Sequence, residues 1–97
     1  MEINDIQTLI FESMKMLNEQ FPDEKQLELK SDTILFGKGA KLDSLGLVNL
    51  IVLVEENTLD KLGKAITLAD ERAMSQKSSP FRTVQSLSEY MMKLLSE

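Results

Sequence analysis

The 97-residue chain has the length of one compact domain (residues 1–97), and at that size only about two-thirds of the unfolded surface is buried, so a scaffold carrying a site fits better than a deep catalytic cleft. Sixteen acidic and eleven basic side chains leave a net charge of −5 with no run of Lys and Arg, which argues against nucleic-acid binding, because that affinity rests on clustered positive charge. Cysteine and histidine are both absent, which removes disulfides, thiolate metal sites, the commonest nitrogen ligand for zinc and the commonest general base, so neither a metal centre nor an enzyme is expected.

The chain opens on MEINDIQTLIFESMK, which is acidic and amphipathic where a secretory leader needs a basic then apolar start. Ile3, Ile6, Ile10, Met14 and Leu17 recur at spacings of three and four, which predicts a helix over about residues 4–20 with one core face, closed by Pro22. Residues 22–43 hold breakers (Pro22, Ser31, Asp32, Gly37, Gly39) and little period, and read as a long loop. A loop of that length needs anchoring, and Leu27, Leu29, Ile34, Leu35 and Phe36 are the residues available for it.

A second helix is expected from Asp43 or Ser44, either of which can cap it, to about Asn57. TLDKLGKAIT, residues 58–67, reads as a connection with a possible helical turn, LADERAMS, residues 68–75, as a short helix, and Ser78, Ser79 and Pro80 as a break. Thr83 then caps a last helix in which Val84, Leu87, Met91 and Leu94 share a face, with Tyr90 and Leu95 beside them. No segment alternates with the period of a strand. The fold class is therefore all-α: a small four-helix bundle of three main helices and a short third one, with a long loop between the first two. The longest unbroken apolar run, residues 50–54, is far below the roughly 20 residues that span a bilayer, so a soluble, cytoplasmic monomer with no membrane partner is expected.

The segment KLDSLGLVNLIVLVEE, residues 41–56, is apolar on more than one side. At about 100° per residue, Leu47, Leu50, Ile51 and Val54 form one stripe, and Leu45, Val48 and Val52 a second on the opposite side. The first is the natural core face. The second, rimmed by Glu55 and Glu56, has the composition of a partner-binding face unless the loop or residues 57–81 fold over it. Residues 1–50 carry nine acidic and five basic groups, residues 51–97 seven and six, so a basic partner would be steered mainly to the first half. Glu55 and Glu56 lie about 100° apart and do not converge as an acid–base pair. Lys61, Lys64 and Arg72 are scattered single charges of a solvated surface, and Met14, Met91 and Met92 are core gap-fillers, whose flexibility would also let a bundle admit an acyl chain.

Ser44 stands where this helix begins. It has no histidine to activate it and no GxSxG elbow around it, so it is no self-sufficient nucleophile; if Asp43 takes the cap, its hydroxyl is left for modification by another enzyme.

Leu42-Asp43-Ser44-Leu45, opening an apolar helix that ends at Glu55-Glu56, resembles the phosphopantetheine attachment motif of acyl carrier proteins, and the order of predicted helices extends the likeness over nearly the whole chain. The resemblance implies that Ser44 carries a 4'-phosphopantetheine arm, transferred from coenzyme A by a partner phosphopantetheinyl transferase, with Asp43 and Leu45 as motif neighbours. It implies that Val48 and Val52 match the family's apolar recognition positions. The arm's thiol would hold an acyl group as a thioester for delivery to acyl- or amino-acid-activating ligases, acyltransferases and synthases. Where carriers of fatty-acid synthesis bear acids just after the serine, this chain has Gly46 and Asn49; it lacks the aromatic residue that often follows the acidic pair; and the connection 57–82 is longer than the family's. These departures point to a dedicated route, such as a polyketide or modified-sugar pathway, and away from the main fatty-acid pathway. The alternatives are an aminoacyl or peptidyl carrier, and an unmodified helical adaptor that docks partners through Leu45, Val48 and Val52 alone.

Overall fold

The structure is a computed structural model that describes residues 2–37, 39–68 and 81–96. Within them the protein is all-helical, with three α-helices and no strand. Helix α1 spans Ile3–Asn18, α2 spans Ser44–Leu62 and α3 spans Val84–Ser96; a 3-10 turn, Asp23–Lys25, lies in the first connection. Both α2 and α3 pack against α1, which therefore sits at the centre of the described helices.

Most of the expected spacings become the core. Ile6, Ile10, Met14 and Leu17 of α1, Leu47, Leu50, Ile51 and Val54 of α2, and Val84, Leu87 and Met91 of α3 are all buried, whereas Ile3, at the first turn of α1, is only partly covered. Leu94 is only partly buried, on the rim of this cluster. Small hydroxyl residues bring the helices close without stranding polar atoms: the side chains of Ser13, Thr58 and Ser88 are buried, and each donates to a carbonyl of its own helix, of Leu9 (3.1 Å), Val54 (2.7 Å) and Gln85 (2.8 Å) respectively. Across the α1–α2 seam, Asn57 Nδ2 donates to Ser13 Oγ at 2.7 Å and the Lys61 ammonium pairs with the Glu12 carboxylate.

Helix α2 is longer than expected, because it runs through Thr58 to Leu62 where a connection was predicted. Within this extension the buried Thr58 hydroxyl is satisfied by the Val54 carbonyl. The stop comes at Gly63, whose left-handed backbone (φ 67°) lets its N–H reach the Leu59 carbonyl at 2.9 Å. Helix α1 is shorter than expected, ending at Asn18. The short helix predicted at 68–75 and the break at 78–80 lie outside the described residues, Leu68 excepted; Arg72 lies outside them as well.

The long loop is anchored, though by different means than its apolar content suggests. Of the five expected anchors only Leu27 and Leu35 are buried, while Leu29, Ile34 and Phe36 lie at the surface. Polar bonds supply the rest. The Asn18 side chain closes α1 by donating to the Leu27 carbonyl (3.0 Å) and accepting from the Leu27 N–H (2.8 Å). Further on, the loop is clamped to the start of α3: Leu35 N–H donates to Arg82 O (2.7 Å), Val84 N–H to Thr33 O (3.2 Å) and Gln85 N–H to Ser31 O (2.8 Å), around an isolated antiparallel bridge between Ile34 and Thr83. Thr83 caps α3 as expected, its Oγ1 accepting from the Ser86 N–H at 3.1 Å.

Candidate functional site

The start of α2 is built by Asp43. Its backbone is extended (ψ −178°), its carbonyl accepts the helix's first N–H, from Leu47, at 2.9 Å, and its Oδ1 accepts the Gly46 N–H at 2.7 Å. Of the two capping candidates, Asp43 takes the position, and Ser44 becomes the first helical residue; the Ser44 side chain lies outside what the structure describes. The capping acceptor is thus a carboxylate.

Gly46, which interrupts the apolar run, has a packing reason. A Cβ there would stand 3.1 Å from both Asp43 Oδ1 and Leu42 Cδ2, closer than ordinary contact. The glycine therefore admits the capping carboxylate and the Leu42 side chain against the first turn.

The two stripes of α2 separate as the wheel predicts. Leu47, Leu50, Ile51 and Val54 are at most 1% exposed, whereas Leu45, Val48 and Val52 are 69%, 38% and 45% exposed. The apolar face continues further than the sequence reading took it: Leu59, two heptads after Leu45 and within about 40° of it on the wheel, is 54% exposed. It was missed because the helix was expected to end near Asn57, although Gly63 is an available stop signal.

The acidic rim is asymmetric. Glu56 is exposed, flanked on the same side by exposed Asn49 and Asp60. Glu55, on the other flank, is half-buried and its Oε1 accepts the Leu68 N–H at 3.3 Å, so it also holds the segment that follows α2.

The resulting site is a convex helix face with an apolar ridge and an acidic border. Among the described residues no group of three or more acidic side chains is placed to hold a metal ion, and no helix is long and apolar enough to cross a membrane. No protein-family model, no curated protein and no solved structure matches the chain.

Proposed function

We propose that this protein is a discrete, cytoplasmic acyl carrier, in which Ser44 takes a 4'-phosphopantetheine arm and the outer face of α2 presents it to the enzymes of a dedicated biosynthetic pathway. The observation that carries the reading is the exposure of Leu45, Val48 and Val52 on the helix whose cap, Asp43, immediately precedes that serine. When attached, the arm supplies the terminal thiol that holds an acyl group as a thioester.

The chain's own residues suit this division of labour. Asp43 supplies the capping acceptor, so the start of α2 is organised by a side chain other than that of the serine to be modified. In the modification, the Ser44 oxygen bonds to the phosphorus bearing the pantetheine, the pyrophosphate bond of coenzyme A breaks, adenosine 3',5'-bisphosphate leaves, and the serine proton passes to a base of the transferase. Leu45, Val48, Val52 and Leu59 offer burial to a partner, and Glu56 and Asp60 offer it charge. The four-helix form of the bundle, with a short helix between α2 and α3, belongs to the same reading and is checked by backbone chemical shifts over 69–80.

The direct test is incubation with coenzyme A and a broad-specificity phosphopantetheinyl transferase, followed by intact mass. One arm is expected on the wild type and none on Ser44→Ala. An unmodified wild type, or an arm that survives the substitution, overturns the reading. The continuation of the apolar face to Leu59, away from Ser44, favours the unmodified adaptor as second reading; full pathway activity with Ser44→Ala would select it.

A further inference from the structure

Beside the first turn of α2 lies a groove of about 430 Å3, lined by Phe21, Pro22, Lys25, Lys41, Leu42 and Asp43. Its walls are tied together. Gln26 Nε2 donates to the carbonyls of Asn18 (3.3 Å) and Phe21 (3.2 Å), which holds the turn leaving α1, and the Lys25 N–H donates to the Pro22 carbonyl at 2.9 Å. Lys41 Nζ donates to the Gln26 carbonyl at 3.1 Å. Two lysines thus share the groove lining with an aromatic side chain and a proline. They are two of only five basic side chains in the first fifty residues of a chain with net charge −5. Asp43 is the groove's acidic lining residue, and one oxygen of that carboxylate is engaged by the Gly46 N–H. The lining therefore carries a net single positive charge, from two lysines against one aspartate.

We infer that this groove is the resting site of the arm, with Lys25 and Lys41 facing its phosphodiester and Phe21, Pro22 and Leu42 covering its apolar portion. This rests on the carrier reading above. The charge matches a monoanionic phosphodiester, and the attachment point, Ser44, is the residue next to the groove wall at Asp43. Because Lys25 and Lys41 are exposed, the pairing is solvent-screened and weakened by salt, which suits an arm that must leave for a partner's active site.

The test compares the unmodified and modified proteins by NMR, with intact mass verifying the arm on Ser44. Nuclear Overhauser contacts between the arm's gem-dimethyl protons and the Phe21 ring are expected in the modified wild type, together with amide shifts at Lys25 and Lys41. In the Lys25→Ala/Lys41→Ala double variant, whose circular dichroism should be unchanged, modification proceeds but those contacts are lost. A modified protein without contacts to Phe21, or a double variant that keeps them, overturns the groove assignment and leaves the carrier reading standing. Failure to load the arm at all overturns both.

Discussion

Asp43, Gly46 and Asn18 each hold a junction that no helix could make unaided. Asp43 satisfies a backbone donor at the start of α2 through the 2.7 Å bond to Gly46, so Asp43→Ala should cost about 1 kcal/mol. For a domain of this size that lowers the melting temperature by roughly 4–8 °C. Asp43→Asn, which keeps an acceptor oxygen, should recover most of the loss in the same thermal melts. Asn18 makes both a donor and an acceptor bond to Leu27. At about 1 kcal/mol for each net bond, Asn18→Ala should lose about 2 kcal/mol in urea unfolding, and an unchanged midpoint would show that the loop is held by Leu27 burial alone.

At the scale of the element, α2 is a helix with opposed faces. The inner one is stability: Leu50 is fully buried, and Leu50→Ala should cost about 2–5 kcal/mol. The outer one is surface: Val48→Gln and Val52→Gln should stay within about 0.5 kcal/mol of wild type in the same denaturation series. If α2 serves as a docking face, those two substitutions should instead slow arm loading by the transferase. Equal destabilisation by the inner and outer substitutions would mean that the outer face is covered. Helix α2 also runs past the weak helix former Thr58, whose buried hydroxyl is satisfied by the Val54 carbonyl, to the glycine stop at Gly63.

For the whole molecule, the clamp between the first connection and the start of α3 joins residues about fifty apart in sequence, and it makes the loop part of the fold. Amide exchange should therefore find Leu35, Val84 and Gln85 protected, while Glu28 and Lys30, whose N–H groups face no described partner, exchange fast. Uniformly fast exchange at Leu35 and Val84 would separate the loop from the helical core.

The helices and their inner faces were legible because a spacing of three and four residues is a local property, written in Ile6, Ile10 and Met14 or in Val84, Leu87 and Met91 before any packing occurs. The same arithmetic separated the two stripes of α2 and marked Ser44 and Asp43 at its start. Other features depended on long-range partners: which of Leu27, Leu29, Ile34, Leu35 and Phe36 goes inside, the bond of Glu55 to Leu68, the clamp on Arg82, and the lining of one groove by both Lys25 and Lys41. By itself the sequence determined the all-helical class, the periodic core faces and the polar start of α2, because those follow from local geometry and residue chemistry. Only the tertiary structure decided that Asp43 is the cap, that α2 reaches Leu62 and that Leu45, Val48, Val52 and Leu59 lie exposed, because exposure and chain reversal depend on which distant residues are at hand to bury a side chain or accept a hydrogen bond.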